Sequence, residues 1–398
     1  MGIDSKSARH RFEEDTISNA VLASGALKAD PGSALAQAAP SALETIQFAP
    51  GSVVDLFCGV GGLTHGLRKE GFRVSAGVDL DEQCRYPFEK NNDARFILKD
   101  VVGLKADELA GLFEAGQPRI LVGCAPCQPF STYNQKNDDP KWRLVERFGE
   151  LISEIKPDVV SMENVPRLLE FQGGRVFEEF RATLVRAGYT VHSQVVFLPD
   201  YGLPQRRSRL VLLASLHGSL ALGEPTHQPD QYRTVKEAIG KLPPIEAGDQ
   251  SETDPLHTSS RLSPINLRRI RASMPGGSWA DWDEDLVAKC HTAATGKGYR
   301  SVYGRMRMEE PSPTITTQFF GFGNGRFGHP EQDRGLSLRE GAILQSFPSD
   351  YEFFRHGEKV QFKALGRLIG NAVPVLLGQV IGRSIKSHLR NHGFERQY

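Results

Sequence analysis

Cysteine is scarce in this chain, with five in 398 residues: Cys58, Cys84, Cys124, Cys127 and Cys290. The odd count, with no histidines at metal-ligand spacing, excludes a disulfide framework and a zinc finger and suits a reducing cytoplasm. An excess of either charge is also missing: 48 Lys and Arg balance 48 Asp and Glu, and the pI is about 7.2. No chain-wide field draws a polyanion, so nucleic-acid binding needs a local basic patch. No apolar run approaches the roughly 20 residues that span a bilayer. Glu13, Glu14 and Asp15 leave the N-terminal segment without a secretory apolar core. The expectation is a soluble cytoplasmic protein with no membrane partner and no metal. The length suffices for one large domain and a smaller one around a substantial core.

The pattern changes near residue 49. Residues 1–48 are rich in Ala, Ser and charge, carry Pro31 and Pro40 and have no sustained apolar face. A flexible tail is expected there, because such a composition buries too little to offset its ordering entropy. From 49 to 215, strands are predicted at 53–57, 72–78, 96–98, 120–122, 159–162, 191–198 and 210–214, and helices at 63–70, 106–115, 142–155 and 175–187. This alternation argues for an α/β fold with a doubly wound, mostly parallel sheet. From 216 to 338 the rhythm stops, and nine prolines from Pro225 to Pro313 punctuate a Gly-rich stretch, which predicts a smaller irregular domain. The segment 339–398 ends in an amphipathic run after Pro374, with Val373, Leu377, Val380, Ile381, Ile385 and Leu389 at helical spacing. Its apolar face is expected to return to the sheet.

Residues suited to chemistry fall at the predicted strand ends. The first strand runs into Asp55-Leu56-Phe57-Cys58-Gly59-Val60-Gly61-Gly62, whose glycines either let backbone approach a nucleoside or serve tight strand–helix packing. Asp79, ending the second strand, is placed to accept ribose hydroxyls, and Asp100, after the third, an adenine amino group. The run departs from Gly-x-Gly-x-x-Gly, which favours a phosphate-free cofactor over a dinucleotide. The fourth strand leads to Cys124-Ala125-Pro126-Cys127-Gln128-Pro129-Phe130-Ser131, where two prolines stiffen a loop that presents Cys127 as a nucleophile. Cys124 and Cys127 also match Cys-x-x-Cys, but the chain is far larger than a thioredoxin-like domain. Glu163 ends the fifth strand on the same edge. In extended Gln205-Arg206-Arg207-Ser208-Arg209, residues Gln205, Arg207 and Arg209 share one face, suited to phosphate or carboxylate recognition or to a charged sheet edge.

With these residues in order, the chain resembles the DNA cytosine-5 methyltransferase family over 50–215 and 311–389. The resemblance rests on Asp55–Gly62, Pro126-Cys127-Gln128 with Phe130-Ser131, Glu163-Asn164-Val165, Gln205–Arg209, Arg339–Pro348 and Gly370-Asn371-Ala372-Val373-Pro374. It implies a sheet of the S-adenosylmethionine-dependent methyltransferase type, with 49–215 as the catalytic domain, 216–338 as a target-recognition domain and 339–398 returning to the catalytic domain. It further implies S-adenosylmethionine as donor, held by Phe57, Gly59, Gly61, Gly62, Asp79, Leu80, Asp100, Val101 and Asn371. Cys127 and Glu163 are implied as nucleophile and ring partner, with Arg207 and Arg209 holding the base and ordering Glu163. Gln205, Arg268, Arg269, Arg271, Arg305, Arg307 and Thr314 are assigned to DNA contact, Thr314 near the backbone of a flipped nucleotide. Double-stranded DNA is the implied partner, read by a monomer, with a cognate restriction endonuclease acting on the same site.

Two departures stand out: Cys124 where the family most often has Gly, and Ala372 where Ser is frequent. Three other readings stay open, namely a transfer-RNA cytosine methyltransferase, a non-catalytic DNA-binding module and a nicotinamide-dependent dehydrogenase. The recognition sequence is not legible, because base readout depends on loop placement.

Overall fold

Val53 and Val54 are both fully buried although their side chains leave β1 on opposite sides. That is the signature of a strand covered on both faces. A computed structural model describes residues 49–130, 139–292 and 298–394; the tail predicted at 1–48 and Ser131 lie outside them. The sheet region runs β1 (Ser52–Leu56), α1 (Gly62–Lys69), β2 (Arg73–Asp79), α2 (Arg85–Asn92), β3 (Arg95–Leu98), α3 (Ala106–Ala110), β4 (Arg119–Gly123), α4 (Arg143–Ile155), β5 (Val159–Asn164), α5 (Arg175–Arg186), β6 (Thr190–Phe197) and β7 (Ser208–Ser215). After it come α6 (Val235–Ile239), α7 (Pro264–Ala272), α8 (Lys289–Thr292), α9 (Leu338–Leu344), α10 (Phe362–Asn371) and α11 (Val375–Asn391).

The seven strands form one sheet in the order β3-β2-β1-β4-β5-β7-β6. All pairs are parallel except those of β7, which runs antiparallel to β5 and β6. The sheet is therefore doubly wound and mostly parallel, as expected. One core joins Leu56, Leu121, Met162 and Leu212 to Phe148 of α4 and Phe180 of α5. The other joins Val53, Val122, Val211 and Leu213 to Leu67 of α1 and Leu377, Ile381 and Ile385 of α11. Strand order reverses between β1 and β4, and a crevice opens beyond the C-terminal ends of the strands at such a point.

Two sequence predictions need correction. The helix placed at 106–115 ends at Ala110, because Gly111 caps it and the chain turns away. Helix α2 was not foreseen, since Arg85, Glu89, Lys90 and Asn91 hide its short apolar face; Pro87 and Phe88 are buried beneath it. Segment 362–391 is long and apolar enough to cross a membrane by length and composition, and 72% of its apolar window is buried inside the protein.

In 216–338 the helices are short. Ile270, Trp279, Trp282, Leu286 and Phe322 make a small core of their own. Helix α11 reaches α1 through glycine: a Cβ on Gly66 would lie 2.2 Å from the Val375 carbonyl oxygen and 2.6 Å from the Gly378 Cα. Gly66→Ala is therefore expected to lower the melting temperature. The overpacking costs about 1–3 kcal/mol and outweighs the helix-propensity gain of about 1 kcal/mol. An unchanged or raised melting temperature would contradict this packing.

Candidate active site

The crevice is a cavity of about 530 Å³ with Asp55, Phe57, Gly59, Asp79, Leu80, Asp100 and Val101 on one side, Cys124 and Cys127 on another, and Asn371, Ala372 and Val373 at its C-terminal wall. Its first wall is made by a strained turn. Phe57 and Gly59 sit at φ of 60° and 51°, and an aromatic residue there costs about 1–3 kcal/mol unless its surroundings enforce it. The turn aims the Gly59 N–H at Asp79 Oδ2 (2.8 Å), while the Asp81 N–H meets Oδ1 (2.9 Å). Burial raises the proton affinity of Asp79 against those two bonds. Asp100 Oδ1 accepts from the Val102 N–H (2.9 Å). Leu80 is 67% exposed and forms an apolar lip.

Gly61 and Gly62, expected beside the cofactor, lie outside the lining of the cavity in this structure. Gly61 starts α1 in the left-handed region, and a Cβ on Gly62 would lie 2.1 Å from the Val373 carbonyl oxygen. They are packing glycines. Their place lets α1 and the C-terminal segment close on each other.

The residue set fits a nucleoside-bearing methyl donor. Two carboxylates end neighbouring strands beside an apolar lip, and Asp55 adds a third. Its Oδ2 accepts from Thr64 Oγ1 (2.6 Å), while its Oδ1 is buried with no hydrogen-bond partner among the described residues. Burial lifts the Asp55 carboxyl to about 7.

The opposite wall holds the thiol and carboxylate. The Cys124 N–H donates to the Leu56 carbonyl (3.3 Å), and Asn164 Nδ2 donates to the Ala125 carbonyl (3.0 Å), so the Cys127 loop is tied to two strand ends. Burial pushes the Cys127 thiol above its ordinary range, opposed by the positive charges of Arg209 and Arg207. Glu163 is 2% exposed and lies behind Cys124, whose Sγ donates to Oε2 (2.6 Å). Arg209 Nε approaches Glu163 Oε1 to 2.7 Å as an ion pair, but the alignment leaves Oε1 without a hydrogen bond among the described residues. Arg207 is buried, donates to the Ile315 carbonyl (3.0 Å) and lies at 3.5 Å from the Ala372 carbonyl. Burial and the neighbouring Arg209 lower its pKa.

Several residues expected to touch DNA are held by partners within the fold. Gln205 is fully buried: its Nε2 donates to the Leu344 carbonyl (3.0 Å) and Gln345 Oε1 (2.9 Å), and its Oε1 accepts from the Ile315 N–H (2.9 Å). Arg305 is 5% exposed, bound to the Ile270, His329 and Gln332 carbonyls and paired with Asp333. Arg269 donates to the Leu286 carbonyl and Asn266 and lies over the Trp282 and Tyr303 rings. By contrast Arg268, Arg271 and Arg307 are exposed, with carboxylate partners Asp285, Asp333 and Glu310. Such exposed pairs are weak and exchange readily for phosphate. Thr314 is half-exposed, its hydroxyl donating to the Arg206 carbonyl (2.6 Å).

Lys99, Lys141 and Arg367 also line the cavity and were missed. Arg367 Nη2 donates to Asp81 Oδ2 (2.7 Å) and Gln83 Oε1 (3.0 Å) across nearly the whole chain, so no local signal announces it.

The model of the family described as C-5 cytosine-specific DNA methylase matches residues 51–387, and the chain belongs to that family. It is a DNA cytosine-5 methyltransferase by the same match and by its relatives. The Type II methylase M.HgiDII of Herpetosiphon aurantiacus is 54% identical over 85% of this chain and 96% of its own length. The Type II methyltransferase M1.HphI of Haemophilus parahaemolyticus is 31% identical over 83% and 86%. Among solved structures, a DNA modification methyltransferase encoded within an Escherichia coli prophage shares the fold, with a TM-score of 0.66, 24% identity and coverage of 85% of this chain and 99% of that one.

A thiol reacts as its thiolate, so the raised Cys127 pKa sets its reactivity. In native protein at pH 7, iodoacetamide is expected to modify exposed Cys290 well before Cys127. The Cys127 rate should still be climbing above pH 9.0, the ordinary thiol value. Peptide mass spectrometry reads both sites. Equal rates at pH 7 would contradict the description of Cys127.

Proposed function

We propose that this chain transfers the methyl group of S-adenosylmethionine to carbon 5 of a cytosine turned out of duplex DNA, within one short sequence, through a transient bond from Cys127. The observation that carries this reading is a single cavity with Asp79 and Asp100 at one end and Cys127 at the other. The donor, when bound, supplies an electrophilic sulfonium methyl. Asp79 and Asp100 suit its ribose hydroxyls and adenine amino group, with Phe57, Gly59, Leu80, Val101 and Asn371 around them.

Carbon 5 of cytosine is a poor nucleophile. Cys127 loses its proton to solvent and adds through Sγ to carbon 6, which places the displaced electron pair where carbon 5 can take the methyl. Glu163 meets ring N3 and the exocyclic amine, with Arg207 and Arg209 set around it to hold the base and balance the charge. A base, water among the candidates, then removes the carbon 5 proton. The carbon 6–sulfur bond breaks and Cys127 is released. Turning the base out costs about a few kcal/mol, supplied by contacts from the segment 216–338 as target-recognition region. The reading extends to a cytoplasmic monomer that shields DNA from a restriction endonuclease cutting the same sequence, a pairing supported by the Type II names of the relatives.

Bisulfite sequencing of plasmid from cells expressing the chain is expected to find protected cytosines in one short motif, lost with Cys127→Ser. Absence of protection with folded protein present would overturn the DNA reading, and protected cytosines in transfer RNA would replace it. For duplex binding, Arg271→Ala and Arg307→Ala are each expected to reduce the slope of log affinity against log salt by about one. Arg305→Ala is expected to lower the melting temperature instead, by about 1–3 kcal/mol in stability, because buried carbonyls lose their donor. A normal melt with a reduced salt slope in Arg305→Ala would reverse that assignment.

A further inference from the structure

We propose that Cys124 is a positioning residue for Glu163: its thiol holds Oε2, so that Oε1 is the oxygen turned to the target base. This rests on the reading of Glu163 as the group that meets the cytosine ring. The placement is direct. Cys124 lines the cavity, whereas Glu163 does not and is buried behind it. The thiol donates to Oε2, while Oε1, beside Arg209, has no hydrogen-bond partner among the described residues. One carboxylate oxygen is thus held by the thiol, and the other faces the Arg209 guanidinium.

The thiol is fit to be a lasting donor. Burial and the negative charge of Glu163 push its pKa well above the ordinary thiol value, so it keeps its proton. Its direction is set by the backbone on both sides, the Cys124 N–H on the Leu56 carbonyl and the Ala125 carbonyl under Asn164 Nδ2. A glycine here, as the family most often has, offers no donor. This chain has therefore placed its own group on the carboxylate from the loop that bears Cys127.

The test compares Cys124→Ala and Cys124→Ser with wild type, using methyl transfer to a cognate duplex at saturating substrates and one fixed pH. Loss of the donor is expected to lower kcat about tenfold in Cys124→Ala, with the KM for S-adenosylmethionine and the Kd for DNA within about twofold. Cys124→Ser keeps a donor and should recover kcat to within about threefold. Melting temperature and S-adenosylmethionine affinity of each preparation separate misfolding from mispositioning. An alanine variant with wild-type kcat would overturn the role of Cys124 alone. So would a serine variant as slow as alanine with the same melting temperature. A wild type that transfers no methyl would overturn the catalytic reading and this inference with it.

Discussion

The active edge of the sheet depends on one buried ion pair, Glu163 with Arg209. They sit on adjacent antiparallel strands, Glu163 opposite Val211 and Arg209 two residues before it, so their side chains meet diagonally on one face. Only a reversed β7 beside β5 does this. A wholly parallel sheet would carry the arginine's strand end to the far edge. A buried charge left without its partner is strongly destabilising, so the pair holds both side chains in place before any substrate arrives.

A second constraint is closure from the far end of the chain. Helix α11 lies against α1 across Gly66 and Gly378, and the elbow before it delivers Asn371, Ala372 and Val373 to the cavity. Gln345 locks that elbow: its Nε2 donates to the Ile369 carbonyl (3.0 Å) and the Ala372 carbonyl (3.2 Å), and its Oε1 receives Gln205. The turn into β7, the C-terminal elbow and the Arg207 guanidinium are thereby fastened together. Through these bonds the walls of the cavity are fastened to one another.

How much of this was legible follows from which forces are local. The strands were read from β-branched runs, because a doubly covered strand has no polar face to confuse the pattern. Helix α2 was not, since its buried Pro87 and Phe88 are outnumbered by charge. At the site, Cys127, Glu163, Asp79 and Asp100 are expected together because strand ends of a doubly wound sheet share one edge. The arginines of 216–338 look alike in the sequence where their partners are remote: Arg305 looks like Arg307 until Asp333 and the His329 carbonyl fold onto it. Gln205 likewise reads as a ligand contact until Gln345, 140 residues on, takes it. The orphaned Oδ1 of Asp55 and the link from Cys124 to Glu163 are products of packing alone.

The central claim is that the Cys127 sulfur reaches a cytosine turned into this cavity. Its most direct test is intact-mass and peptide mass spectrometry after mixing the protein with S-adenosylmethionine and a cognate duplex bearing 5-fluorocytosine at the target. The fluorine cannot leave as the proton does, so the account predicts a stable protein–DNA adduct carrying one added methyl, with the bond mapped to Cys127. An adduct on Cys124, or methylated product with no covalent species, would contradict it.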